Sequence, residues 1–241
     1  ICGTRELFQL PAGALQLAVG AEFRSEKYTS TPDALTASGA LSVLGASSAQ
    51  GSRNISAVYA ELSVPILKNL EASVAGRYDR YSDFGGTTNP KIGLKYKVLP
   101  NLALRATYAE GFRAPAITET TQTPSRGFYS GIRDPQNCPI PDVNNPNCDL
   151  SVEAFSGANP ALQPERSKSM TAGLVFEPTD NLSIAFDLYK IKRRNEIAAI
   201  DPDYLLAHEG EFPGYVVRAA DGTIDHLNLQ YTNLGDRKSV V

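Results

Sequence analysis

The sequence predicts an all-β chain: part of an antiparallel, up-and-down transmembrane β-barrel. Three observations carry that expectation. Apolar and polar residues alternate with a period of two through a series of segments about ten residues long. The connections between those segments sort into short and long. No run approaches the roughly 18 to 20 consecutive apolar residues that a spanning helix needs.

Composition neither announces nor opposes this. The chain has 241 residues, 42% of them hydrophobic, which is ordinary for a globular protein. It suits a barrel equally, because lipid-facing apolar residues alternate with lumen-facing polar ones and the average is neutral. The formal net charge is -3, with Lys and Arg spread along the chain, so there is no basic stripe of the kind nucleic-acid binding demands. The start ICGTRELFQL lacks the basic and apolar regions of a signal peptide, and an export signal is expected upstream of it.

Taken in order, residues 14–28 put Leu15, Leu17, Val19, Ala21 and Phe23 on one face and Gln16, Glu22, Arg24 and Glu26 on the other. Val58, Ala60, Leu62 and Val64 then oppose Tyr59, Glu61 and Ser63, and Leu70, Ala72, Val74 and Tyr78 oppose Glu71, Ser73, Arg77 and Asp79. Ile92, Leu94, Tyr96 and Val98 oppose Lys91, Lys95 and Lys97; Leu102, Leu104, Ala106 and Tyr108 oppose Arg105 and Thr107. Met170, Ala172, Leu174 and Phe176 oppose Ser169, Thr171 and Glu177, and Leu182, Ile184, Phe186 and Leu188 oppose Ser183, Asp187 and Tyr189. Periodicity alone leaves a soluble β-sandwich equally open, since its strands alternate in the same way.

The connections favour the barrel. Tight turns are expected at LPAG (10–13), PILKN (65–69), VLPN (98–101) and PTDN (178–181). Longer polar connections follow Tyr28, Tyr81 (SDFGGTTN), Gly111 and Lys192. An outer-membrane barrel has short turns on the periplasmic side and long loops outside, whereas a sandwich has no reason to sort its loops. Tyr28, Tyr78, Tyr81, Tyr108 and Tyr189 fall near strand ends, where an amphipathic ring suits the headgroup level. Of three cysteines, Cys138 and Cys148 flank a Pro/Asn-rich segment that a disulfide could close in an oxidising compartment, leaving Cys2 over.

Specific words in the chain resemble the barrel region of TonB-dependent outer-membrane receptors. They are RYDRYSDFGGTTNPKIGLKY (77–96), LRATYAEGFRAPAITE (104–119) and NPALQPERSKSMTAGLVFEP (159–178), in the family's order, supported by LPAGALQLAVGAEFRSE (10–26) and GTIDHLNLQYTNLG (222–235). The two most specific words are Gly111, Phe112, Arg113, Ala114 and Pro115, and Asn159, Pro160, Leu162, Pro164 and Glu165. Physically, Gly111 could supply an unusual backbone angle where a strand leaves the wall and Pro115 would stop further pairing, while Pro160 and Pro164 fix the return of the long loop. That is a wall-shaping role; direct ligand contact is the alternative.

The resemblance implies a large barrel, typically of 22 strands, integral to a bacterial outer membrane and in contact with its lipid. It further implies long extracellular loops, an N-terminal plug domain filling the lumen, a TonB energy-coupling complex acting through that plug, and a small nutrient ligand. With about eight to ten strands, residues 1–241 are expected to be one incomplete part of the barrel domain, with the plug and the C-terminal strands outside it. Charged residues on the non-lipid face, namely Glu22, Arg24, Arg77, Asp79, Lys95, Arg105 and Arg113, are candidates for lumen or plug contacts, against the plainer account of a mutually paired wall. The loop 118–158 is the candidate for ligand capture, through Arg126, Phe128, Tyr129 and Arg133 and the staple between Cys138 and Cys148. The run DVNNPNCD (142–149) is rich in oxygen side chains but lacks the Gly and Glu of a calcium loop, so no metal is expected.

Nothing points to an enzyme or a cofactor. The chain has two histidines, His208 and His226, with no HExxH helix, GxSxG elbow or Walker-type loop. A passive porin and a secreted glycan-binding β-sandwich remain the alternatives to energised nutrient import.

Overall fold

The computed structural model describes residues 1–38, 46–142 and 144–235, with the backbone of residues 237–240. Part of the connection after Tyr28, and Val143 of the run 142–149, lie outside the described residues. The strands are, in order, β1 (Cys2–Leu10), β2 (Gly13–Ser30), β3 (Ala49–Leu67), β4 (Leu70–Tyr81), β5 (Gly85–Leu99), β6 (Leu102–Arg113), β7 (Ser125–Ile132), β8 (Leu150–Gly157), β9 (Glu165–Thr179), β10 (Leu182–Arg194), β11 (Glu196–Ala199), β12 (Val216–Arg218), β13 (Ile224–Leu234) and β14 (Arg237–Val240). Three short helices join them: α1 (Ala34–Ala37), α2 (Ile117–Thr121) and α3 (Pro202–Ala207). No described helix is long and apolar enough to cross a membrane.

Nine strands form one open antiparallel wall in the order β1-β2-β3-β4-β5-β6-β9-β10-β14. It is an incomplete barrel. The predicted segments are all present and longer than the alternation alone implied; β3 runs for 19 residues and β5 for 15, against the roughly 9 to 11 needed to cross the hydrocarbon. The excess lies at the ends away from the tight turns, which fall at residues 11–12, 68–69, 100–101 and 180–181 as expected. The connection after Tyr81 is a correction. It is a short hairpin, 82–84, because Thr87, Thr88 and Asn89 stay in the ladder opposite Asp79, Tyr78 and Arg77.

Register settles which residues share a face, since directly opposed residues project the same way. Leu17 lies opposite Leu62, Leu62 opposite Val74, Val74 opposite Ile92, Ile92 opposite Tyr108 and Tyr108 opposite Met170. The predicted apolar sets therefore merge into one continuous surface. It is uncovered: Phe23 is 73% exposed, Ile92 52% and Phe186 57%. A water-facing sheet of this breadth would be an aggregation surface, and lipid is the solvent that suits it. Tyr96 sits on this face opposite Leu70 and Leu104 near the tight turns, while Tyr78 and Tyr108 sit toward the other end. Three of the tyrosines expected at headgroup level do not belong there. Register puts Tyr28 on the face of Glu26, Tyr81 on that of Asp79 and Tyr189 on that of Asp187.

The connections that follow β6 and β10 are not wholly irregular. They build a second sheet, β11-β13-β8-β7, with β12 paired to β13. The β8–β13 pairing is parallel and joins the connection that follows β6 to the one that follows β10. Ile132, Val152, Leu205, Leu206, Leu227 and Leu229 bury between this sheet and α3, forming the main apolar core. The wall thus leaves its apolar side uncovered, whereas the cap buries its own.

If the exposed apolar face meets hydrocarbon, Ile92→Arg in the whole protein lowers the stability of folding into lipid vesicles by about 2–4 kcal/mol, the cost of a cation near the bilayer midplane. Urea titration of the vesicle-inserted protein measures it; an unchanged midpoint would remove Ile92 from the lipid face.

Candidate functional site

The inner face of the wall is a connected series of charges. Arg77 donates to Glu22 at 2.9 Å and to Asp79 at 2.8 Å. Arg24 lies 3.9 Å from Glu22 and 3.1 Å from Glu26, and Glu26 accepts from Arg53 at 2.7 Å, which in turn lies 3.6 Å from Asp83. Signs alternate along this series across β2, β3 and β4. Arg105 and Asp187 pair separately at 2.9 Å, reaching across β9 at Gly173. A Cβ on Gly173 would lie 2.0 Å from the Asp187 carboxylate, so only glycine leaves the pair room. Lys95 stands apart, opposite Glu71 and Arg105, in an open trough of about 670 Å³.

The two sequence words found in the family meet in space. Arg113 donates to Glu165 at 2.8 Å and to Glu119 at 3.1 Å. Glu165 also accepts from the Ile197 N–H at 2.8 Å, and the Glu119 carboxylate accepts from the Ala116 N–H at 2.7 Å. The Asn159 amide donates to the Tyr231 carbonyl at 3.0 Å, and Leu162 is buried beside it in sequence. These bonds tie β6, α2, the start of β9 and the cap strands β11 and β13 together. Pro115 is buried and its carbonyl accepts from Arg53 at 2.7 Å, which lays α2 over the inner face. Gly51 permits that approach, since a Cβ there would come 2.7 Å from Ile117 Cγ2.

Gly111 corrects the expectation placed on it. Its backbone is not left-handed, and it remains in the ladder opposite Ser167, because β6 continues to Arg113 before leaving the wall. Phe112 packs edge-on to Tyr81 at 5.7 Å and near Phe84 at 6.4 Å. Ala114 and the exposed Pro160 and buried Pro164 flank the crossing without polar side-chain contacts of their own.

Within the cap, the four residues singled out in the loop separate. Arg126 pairs with Glu153 and lies 5.6 Å from the Phe128 ring. Phe128 is 64% exposed and Tyr129 40%, and as consecutive strand residues they point to opposite faces. Arg133 instead donates to the carbonyls of Cys138 and Pro139 at 3.3 Å, bracing the loop that the Cys138–Cys148 disulfide closes, with Cα atoms 5.4 Å apart. Cys2 is a free, exposed thiol. Sequence reasoning missed Arg218, which donates to Asp134 at 2.9 Å and to Glu209 at 2.7 Å. No local pattern announces it, since its partners lie in separate loops. Burial pushes the Asp134 carboxyl up, but hydrogen bonds from Arg218, Asn137 and the Gln136 N–H outweigh burial and hold it below the usual carboxylate range. The same carboxylates raise the Arg218 guanidinium.

The family profile described as TonB dependent receptor-like, beta-barrel, matches residues 4–239. The chain belongs to the TonB-dependent receptors. Members of this family are outer-membrane transport receptors rather than enzymes. Among curated relatives, the chain is 28% identical over 198 residues to heme/hemopexin utilization protein C of Haemophilus influenzae, covering 77% of this chain and 24% of that protein. Among solved structures it resembles the ferric enterobactin receptor PfeA of Pseudomonas aeruginosa, at 16% identity and a TM-score of 0.70, covering 99% of this chain and 31% of the other. It also resembles the hemophore receptor HasR of Serratia marcescens, solved with its hemophore HasA and heme, at 18% identity and a TM-score of 0.65, covering 99% and 37%. The chain thus spans a quarter to about a third of these proteins. At these identities the structural likeness speaks for the receptor fold alone.

The Asp134 carboxylate stabilises the cap only while ionised. Because its folded pKa is depressed, its contribution is complete above the unfolded value of about 4 and is lost as pH falls through the lower folded value. Hydrogen exchange of cap amides is therefore expected to hold its protection at pH 5 and to lose it as pH falls below about 4. Asp134→Asn should be less protected at pH 5 and nearly flat across that range; a wild-type-like pH response would exclude Asp134 as its source.

Proposed function

We propose that residues 1–241 form part of a single barrel domain of a receptor that imports a scarce nutrient through the outer membrane, driven by the TonB complex acting on an N-terminal plug. The observation that carries this reading is the pairing of an uncovered apolar outer face with a charged inner face beneath a folded cap. A ligand would land on the extracellular cap, with Arg126, Phe128 and Tyr129 offering an exposed cation and two rings on the strand at the sheet's edge. It would then pass the plug, which the charge series from Asp79 to Asp83 and the separate Lys95 and Arg105 would line. No bond in the ligand is made or broken.

The relatives' names favour an iron-bearing ligand, heme or a ferric siderophore, over cobalamin or a carbohydrate. The inner charges are largely satisfied by one another, which supports a structural role for Arg77, Arg105 and Arg113 and leaves recognition to the cap. A passive porin is the competing reading.

Uptake of labelled heme and of a ferric siderophore by cells carrying the whole receptor separates the two. Import that stops when the coupling protein is deleted supports this reading, and import that persists unchanged identifies a passive pore. In the same cells, joint replacement of Arg126, Phe128 and Tyr129 by alanine should weaken ligand binding about tenfold or more while the barrel still inserts; undiminished binding would take these residues out of recognition.

A further inference from the structure

The cap sheet has a second face. Val152, Ala154, Leu227 and Leu229 turn toward α3, so the residues that alternate with them in β8 and β13 project the other way. Register aligns these across the strands. Phe128 lies opposite Glu153 and Glu153 opposite His226, while Arg126 lies opposite Phe155. Arg126 and Phe128, named from the sequence, thus share one face with His226. Tyr129 does not, since it lies opposite Val152.

His226 is held as metal-binding histidines are. Its Nδ1 donates to the Asp225 carboxylate at 2.7 Å, and the Phe155 ring meets it edge-on at 5.3 Å. An ionised carboxylate can only accept, so the proton sits on Nδ1 and the lone pair of the uncharged ring is left on Nε2, which no described residue engages. A carboxylate on one ring nitrogen fixes the tautomer and raises the basicity of the other, the arrangement found behind most metal-bound histidines. The His226 side chain stays 25% exposed, so a ligand can reach it.

One imidazole cannot hold a bare ion, and among the described residues no cluster of three His, Cys, Asp or Glu side chains stands ready to complete a set. The metal has to arrive with its other positions filled and one open. Of the two iron-bearing classes proposed above, a ferric siderophore wraps its iron in its own donors, whereas heme leaves an axial position for a side chain such as histidine. Strand side chains stand roughly perpendicular to the sheet, so a porphyrin bound at Nε2 lies flat over this face. β7 and β13 are two strand spacings apart, roughly 10 Å, which puts Phe128 under the rim of the macrocycle. Glu153, between them, is already paired with Arg126.

We propose that His226 is the axial ligand of a heme that lies on this face of the cap, with Phe128 and Phe155 against the porphyrin. The inference rests on the import reading above and selects heme within it.

The whole receptor in detergent micelles is titrated with ferric heme and with iron-free protoporphyrin, and absorption and electron paramagnetic resonance spectra are recorded. The wild type should show imidazole-bound iron. His226→Ala should lose that signature and bind heme about tenfold or more weakly, and added imidazole should restore the spectrum. Protoporphyrin, with no iron to ligate, should bind His226→Ala as it binds the wild type, whereas Phe128→Ala should weaken both ligands alike. His208→Ala, which removes the chain's other histidine, should bind heme as the wild type. Heat-modifiable gel mobility confirms that each variant is a folded barrel. An unchanged spectrum in His226→Ala, an equal loss of heme and protoporphyrin in that variant, or a signature that disappears in His208→Ala would overturn the proposal. A wild-type receptor that binds no heme would overturn it too. Coupled uptake of a ferric siderophore would then leave the import reading standing, and import indifferent to the coupling protein would remove that reading instead.

Discussion

Hydrocarbon offers no partner to a backbone N–H or C=O, and the rest of this structure follows from that constraint. A strand in such a solvent must be paired along its whole length within the band, and its side chains must then divide strictly between two faces. The four register shifts nearest the tight turns, at Glu6/Phe8, Pro65/Leu67, Lys97/Leu99 and Leu182/Ile184, fall close to the chain reversals. A shift placed further along a strand would turn its apolar set away from the lipid. Irregularity is therefore confined to the margins, and β5 and β6 part only beyond the shared apolar surface.

The inner face obeys a second consequence. Side chains excluded from lipid are crowded onto one side of a regular ladder, where neighbours across the strands are fixed. Opposite charges settle into register, as Glu22, Arg77 and Asp79 do, and a strand can be bridged where its residue has no side chain, as at Gly173. Such pairs are partly solvated, so they fix geometry more than they add stability. The contact between Arg113, Glu119 and Glu165 belongs to the same class, yet it couples elements far apart in sequence and decides where the cap sits.

The wall was legible in the sequence because its information is local. Seven alternating segments and four Pro/Asn/Asp turns located most of its strands and their lipid-facing residues. Three tyrosines and the connection after Tyr81 were misplaced for one reason: proximity to a strand end says nothing about parity or about how far a ladder extends. β1 was overlooked because CGTRELFQL alternates weakly. The cap was illegible for the opposite reason. Its strands are short, its core draws Ile132 from the connection after β6 and Leu205 and Leu227 from the one after β10, and Arg218 pairs with buried Asp134 of the first connection as well as with Glu209 of its own. Arg133 is named from the sequence as a candidate for ligand capture, and its hydrogen bonds to the Cys138 and Pro139 carbonyls show only in the folded loop.

The parallel pairing of β8 with β13 has a consequence for how such a receptor can diversify. β8 comes from the connection that follows β6 and β13 from the one that follows β10, and each covers apolar residues of the other. Grafting either connection alone onto another barrel would leave an unpaired strand edge and half a core open to water. The two connections therefore behave as one folding unit, and a graft that keeps the cap intact has to carry both of them at once.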